Sequence, residues 1–199
     1  MSLAPGRGGC YSRPSTHHSS PRLKKREGTS MPIHPLVTQL RFTRAEFVRC
    51  LKDVSPQEAV RRAMPLNCIS WIVGHLANQE QNYWVTFAQG HTPVPGLNDL
   101  VGFGKPATTP PLDDMWAAWT TITQAADPYL DTFTAAMLQT YFTDGNKPRR
   151  ESIGTMLLRN IYHYWYHTGE AHAIRDMLGH GPLPQFVGDM SQASYRPES

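Results

Sequence analysis

A pair of histidines inside a long apolar helical pattern is the feature that most constrains how this chain folds. Residues 151–179 place apolar side chains on nearly every side of a predicted helix, which is typical of a helix packed inside a bundle. His163 and His167 are four residues apart, so both side chains lie on one face of that helix. Because buried polar groups need partners, each imidazole must form hydrogen bonds or bind a cation.

Three further long segments have helical periodicity. They run from Leu36 to about Lys52, from an N-cap at Asn67 to Gly90, and from Leu112 to about Phe133, where Pro128 is expected to kink or restart the helix. Residues 91–111 contain five prolines and predict a long surface loop between the second and third long helices. The sequence therefore predicts an all-α antiparallel four-helix bundle, an architecture that holds metal sites between facing helices.

The N-terminal segment differs from the rest in composition. Residues 1–30 carry six basic residues and one acidic residue, which gives this segment a net charge of +5. Since the whole chain has a net charge of +3, residues 31–199 have a net charge of −2. We predict a disordered basic leader at 1–30, the bundle at 31–190 and a C-terminal tail at 191–199. The alternative for the leader is that translation begins at Met31. A slightly acidic folded part lacks the basic surface that nucleic-acid binding requires.

The composition is that of one globular domain with no membrane segment. Of the 199 residues, 40% are hydrophobic and 18% are charged, and no apolar run approaches the length of about 20 residues that spans a bilayer. The first 30 residues also lack the apolar core of a secretory signal, so we expect a cytoplasmic protein without membrane contact. The three cysteines, Cys10, Cys50 and Cys68, form no CxxC pair and are expected to be reduced.

The second long helix has a face that changes from apolar to polar at His75. In steps of three and four, that face continues through Gln79 and Asn82, as expected of a helix that lines a wet pocket. Glu80 flanks the face and is expected on the solvated or packing side of the helix. If the second and fourth long helices are neighbours, His75 faces His163 and His167. Three neutral imidazoles suit zinc, nickel, iron or copper and leave coordination positions open for water or substrate.

Glu170 shares the face of the two histidines on the last long helix, three residues after His167. It is a candidate fourth ligand, an acceptor that orients an imidazole, or a general base, and the alternative is a salt bridge with Arg175. His172 points elsewhere on the helix and His180 follows its end, so neither is expected in the site. Position 164 is tyrosine, so the HExxH motif of zinc peptidases is absent.

Two segments carry a resemblance to a known family. The stretches NCISWIVGHLANQEQNYW and IGTMLLRNIYHYWYHTGEAHAIRDMLGH resemble the DinB-like superfamily of four-helix bundles over residues 33–188. That superfamily includes the mycothiol-dependent maleylpyruvate isomerases and the bacillithiol transferases. The resemblance implies a divalent metal ion held by His75, His163 and His167, and a homodimer. It does not imply DNA binding.

The resemblance and the residues together give three functional hypotheses. The first is a metal-dependent transferase or isomerase that uses a low-molecular-weight thiol, with one zinc or nickel ion per chain and iron or manganese as alternatives. In this hypothesis Gln79, Asn82 and Glu170 orient the small-molecule substrate or assist catalysis. The second is a hydrolase that uses metal-bound hydroxide. The third is a metal-binding stress or interaction module without turnover.

Overall fold

The computed structural model describes residue 1 and residues 32–185 and 187–196, and helices make up most of that part of the chain. The α-helices are α1 Pro35–Cys50, α2 Pro56–Ala59, α3 Ile69–Glu80, α4 Leu97–Val101, α5 Leu112–Leu130, α6 Ala135–Leu138 and α7 Ile153–Met177. The π-helical segment Gln81–Phe87 continues α3, and Met190–Ala193 forms a 3-10 turn. Strands β1 Thr143–Asp144 and β2 Lys147–Pro148 pair antiparallel. The predicted disorder of residues 2–30 lies outside the described residues.

Side-chain caps explain where the helices begin. Ser55 and Glu58 form the predicted capping box of α2, and the Ser152 hydroxyl accepts a hydrogen bond from the backbone N–H of Thr155 at the start of α7. The predicted cap of the second long helix was wrong by one residue. The Cys68 thiol, rather than Asn67, accepts from the Trp71 backbone N–H at 3.5 Å.

The packing of the long helices confirms the predicted all-α bundle. Helix α3 packs against both α5 and α7, and α1 packs against α7. Helices α3 and α7 run in opposite directions, since His75 contacts His163 while Gln79, further along α3, contacts Asn160.

Helices α3 and α5, in contrast, run in the same direction. Gly74 lies against Met115 near the start of α5, and the Gln89 amide donates to the Ala125 carbonyl near its end. The chain must therefore return along the bundle between these two helices, which is why the connection at 91–111 is long.

The long connection is not a plain surface loop, and this part of the prediction was wrong. It contains α4, whose Leu97 and Val101 are buried. Apolar residues four apart place both side chains on one face of a single helical turn, which packs against α3. Pro128 does not interrupt α5, because it lies in the last turn and the helix ends at Leu130.

Glu80 lies in the centre of the bundle, so the expectation of a solvated or packing position was wrong. Its side chain is fully buried and pairs with the Arg44 guanidinium, whose Nε lies 2.8 Å from Glu80 Oε1. Tyr164 donates its hydroxyl to the same carboxylate at 2.6 Å, and Trp119 Nε1 donates to the Tyr164 hydroxyl at 2.7 Å. The network joins all four long helices, since its members come from α1, α3, α5 and α7.

Two other sequence predictions concern cysteines and membranes. Cys50 and Cys68 are buried free thiols, as predicted, and Cys10 lies outside the described residues. Among the described helices, none is both long and apolar enough to cross a membrane.

Candidate metal centre

The structure brings the three predicted histidines together between α3 and α7. Each residue of the set His75, His163 and His167 offers one ring nitrogen, and these nitrogens lie within 4.8 Å of one another. The His163 and His167 Nε2 atoms are 3.0 Å apart, and the ring of His75 lies edge-on to both other rings. His75 and His167 are buried, while His163 is half-buried. The cluster could therefore hold one metal ion.

The orientation of His75 is set by helix α4 and by an aromatic neighbour. Its Nδ1–H donates to the Val101 carbonyl at 2.8 Å, so the unprotonated nitrogen is Nε2. The Trp71 ring stacks on the imidazole, with centroids 4.4 Å apart and planes inclined by 17°. Together the hydrogen bond and the stacked ring hold the His75 lone pair toward the other two histidines.

His167 is oriented by Glu170, one of the three roles predicted for that carboxylate. His167 Nδ1–H donates to Glu170 Oε2 at 2.6 Å, and its Nε2 faces the Nε2 of His163. A carboxylate that accepts from the second ring nitrogen is the usual partner of a metal-ligating imidazole, because it fixes the tautomer and increases the basicity of the ligand. The alternative salt bridge with Arg175 is not made, since Arg175 bonds to the Cys50 carbonyl and to His180.

The properties of the cluster fit a divalent cation. Two imidazoles on a tetrahedral zinc ion have nitrogens about 3.3 Å apart, and the His163 and His167 nitrogens are already at 3.0 Å. Burial lowers the pKa of His75 from 6.5 to about 4 and that of His163 to about 3, with smaller contributions from neighbouring charges. Both imidazoles are therefore neutral at pH 7 and have lone pairs available for a metal.

His163 lacks the second hydrogen bond that orients the imidazoles of His75 and His167. Its Nδ1 atom is buried and has no hydrogen-bond partner among the described residues. A buried polar atom without a partner destabilises the fold, and coordination through Nε2 would leave this atom unpaired.

Replacing Glu170 with glutamine is expected to weaken zinc binding by about 10–100-fold, the usual effect of losing the carboxylate behind a ligating histidine. The affinity is measured by competition with a chromophoric chelator. Glu58→Gln is the matched control, since Glu58 contacts His180 Nε2 at 3.1 Å outside the cluster. Equal zinc affinities for the two variants would show that Glu170 does not support a metal ligand.

A pocket of about 800 Å³ opens beside the cluster. His75 and His163 form part of its wall, so one side of a bound ion would face the pocket. The remaining wall comes from α3 and its π-helical continuation, from α7 and from the 91–111 connection. The lining residues are His75, Asn78, Gln79, Asn82, Tyr83, Asn98, Phe103, Thr155, Leu158, Arg159, Tyr162 and His163.

Gln79 and Asn82, the other two predicted site residues, both line this pocket. Gln79 is held by a short chain of hydrogen bonds: Trp84 Nε1 donates to Asn160 Oδ1 at 2.7 Å, and Asn160 Nδ2 donates to Gln79 Oε1 at 3.0 Å. The Gln79 carboxamide therefore keeps its Nε2 donor group for other acceptors. Asn160 is completely buried and does not itself line the pocket.

Several residues of the site were not predicted from the sequence. Val101 and Asn98 lie in the segment predicted as loop, although Leu97 and Val101 at a spacing of four signalled a helical turn. Arg159 precedes His163 by four residues and could have been assigned to the same face. His172 and His180 are outside the cluster, as predicted.

These features define a helical-bundle protein with a three-histidine cluster that could bind a metal ion. The family model of the DinB superfamily matches residues 39–171. The chain belongs to the DinB superfamily, and the resemblance found in the sequence is confirmed. A comparison with curated proteins found no match.

Proposed function

We propose that this protein is a metal-dependent enzyme that transfers or isomerises small electrophilic substrates with the help of a low-molecular-weight thiol. The observation that carries the proposal is the three-histidine cluster at the wall of a pocket of about 800 Å³. A site with three protein ligands leaves coordination positions for other molecules, whereas structural zinc sites use four protein ligands.

A divalent ion at this site, with zinc or nickel favoured by the imidazole donors, would lower the pKa of a coordinating thiol and so supply thiolate at neutral pH. The histidines His75, His163 and His167 are the proposed ligands. Glu170 orients His167, and the carboxamides of Gln79 and Asn82 are proposed to position the substrate in the pocket. In a transfer reaction, the thiol loses its proton to solvent, sulfur bonds to the electrophilic carbon, and the leaving group departs with its electron pair.

The proposal is tested with zinc-loaded or nickel-loaded protein, a panel of cellular thiols and 1-chloro-2,4-dinitrobenzene as the electrophile. We expect a thioether product and chloride that form above the spontaneous rate only when both metal and thiol are present. His163→Ala is expected to abolish the enzymatic rate. His91→Ala is the control, since His91 is exposed and outside the cluster.

Two other outcomes would favour the rival hypotheses. Ester or amide cleavage that needs the metal but no thiol would favour a hydrolase and contradict the proposed use of a thiol. Tight metal binding without turnover on any thiol and electrophile would favour a metal-binding stress or interaction module. The homodimer, the absence of nucleic-acid binding and the cytoplasmic location remain predictions from the sequence.

A further inference from the structure

One arginine side chain lines the pocket beside the candidate metal centre. Among the twelve described residues that line it, Arg159 is the only arginine, lysine, aspartate or glutamate. Arg159 lies four residues before His163 on α7, so the two side chains share a face and are separated by about 6 Å along the helix axis. The backbone position of Arg159 is therefore about one helical turn from that of His163, a candidate metal ligand.

A hydrogen-bond donor lies at a similar level on the opposite wall. Helices α3 and α7 are antiparallel, and Gln79 contacts Asn160, the residue next to Arg159. Because the Gln79 Oε1 atom accepts from Asn160, its Nε2 group remains as a donor. The guanidinium of Arg159 and the amide N–H of Gln79 lie at similar positions along the two helices that form the pocket. Together they favour a ligand group that accepts hydrogen bonds and carries negative charge.

Arg159 already binds a carboxylate from its own chain. Its Nε donates to Glu151 Oε2 at 2.8 Å, and its Nη2 donates to the other oxygen of the same carboxylate. The guanidinium fork thus has the geometry for a carboxylate, and Nη1 is not used by this pair. Arg159 is half exposed, and exposed ion pairs contribute little to stability. A ligand can therefore compete with Glu151.

We propose that this pocket selects small-molecule ligands that carry a carboxylate, with Arg159 as the selecting residue and Glu151 as its internal competitor. The ligand carboxylate binds Nη1 of Arg159 or displaces Glu151, while the other end of the ligand reaches the metal centre. This inference rests on the proposed function, because it takes the pocket beside the metal centre as the substrate site. The group is inferred to be a carboxylate because Arg159 already pairs with one, that of Glu151, through Nε and Nη2.

The test compares two thiols that differ only in charge, 3-mercaptopropionate and 3-mercaptopropionamide. Dissociation constants on the zinc-loaded protein are measured by NMR titration at pH 7. We expect the carboxylate to bind about tenfold more tightly than the amide, the effect of one charge-assisted hydrogen bond. Arg159→Gln should remove this preference and Arg159→Lys should keep part of it.

Glu151→Gln should have the opposite effect from Arg159→Gln. Removal of the competing carboxylate is expected to strengthen binding of 3-mercaptopropionate by about threefold, the scale of an exposed ion pair, and to leave the amide unchanged. Arg61→Gln is the matched control, because it removes the same charge from an exposed residue outside the pocket. Equal affinities for the two thiols, or a preference that survives Arg159→Gln, would overturn the inference.

A second pair of probes separates this inference from the proposed function. Butyrate and butyramide have no sulfur, so an Arg159-dependent preference for butyrate supports the carboxylate site whether or not a thiol reaches the metal. Contact of sulfur with the ion is followed separately on cobalt-loaded protein, through the thiolate-to-cobalt absorption band. If the Arg159-dependent preference for the carboxylate is present but the absorption band is absent, only the thiol function is contradicted. If the band is present but the carboxylate is not preferred, only the carboxylate site is contradicted.

Discussion

Replacing Glu80 with alanine is expected to lower the free energy of unfolding by about 3–5 kcal/mol, because the change leaves the Arg44 guanidinium buried without its main counter-charge. Arg44 is 5% exposed and Glu80 is completely buried. Burial alone would lower the pKa of Arg44, but the charge and hydrogen bonds of Glu80 raise it above its ordinary value. The remaining contact with Asp127, at 2.7 Å, joins Arg44 to a partly exposed carboxylate and compensates only in part.

The decrease in the free energy of unfolding of Glu80→Ala is measured by urea denaturation of the metal-free protein. Glu151→Ala is the matched control, since it breaks the exposed pair with Arg159 and should cost at most about 1 kcal/mol. The double replacement of Arg44 by methionine and Glu80 by leucine should recover much of the loss, because well-packed apolar groups can substitute for a buried ion pair. A cost below about 1 kcal/mol for Glu80→Ala would show that water reaches this network.

Replacing His163 with alanine is expected to abolish metal binding while leaving the metal-free fold intact. Zinc at a concentration 100 times its dissociation constant should stabilise the wild-type protein by about 2.7 kcal/mol. The variant should show none of this stabilisation, because only two imidazoles remain. Without metal, the variant should lose no more than about 1–2 kcal/mol, since the change removes the contact of His163 Nε2 with His167 together with a buried Nδ1 that has no partner among the described residues.

Thermal unfolding with and without zinc, together with elemental analysis, checks this prediction. Metal content should fall from one ion per chain to near zero in His163→Ala, and His91→Ala should retain it. Wild-type zinc content in the His163 variant would refute ligation by this residue. A large loss of stability in the metal-free variant would instead assign His163 a packing role.

The fold and the three histidines could be predicted because they depend on local spacing. Imidazoles four residues apart on an apolar helix must share a face, and the change from apolar to polar residues at His75 marked the second wall of the pocket. Their convergence required only that the second and fourth long helices be neighbours, which is common in a four-helix bundle. These features need no knowledge of distant side-chain contacts.

The remaining features depend on partners far apart in the chain. Glu80 is buried because Arg44, 36 residues earlier, reaches it across the bundle, and nothing near Glu80 in the sequence signals that partner. The Val101 carbonyl orients His75 from 26 residues away, within a segment whose prolines indicated a loop. Asn160 follows Arg159 in the last long helix, and its role follows only from its contacts with Trp84 and Gln79.

X-ray absorption at the zinc edge of the zinc-loaded protein tests the central claim most directly. We predict one zinc ion per chain with three imidazole nitrogens at about 2.0–2.1 Å and at least one further oxygen ligand from solvent. The same measurement on Glu170→Gln, at zinc concentrations that fill the site, should show the same three imidazoles, because Glu170 binds His167 rather than the ion. A first shell with fewer than three imidazoles, or one that contains sulfur from a cysteine, would contradict the proposed site.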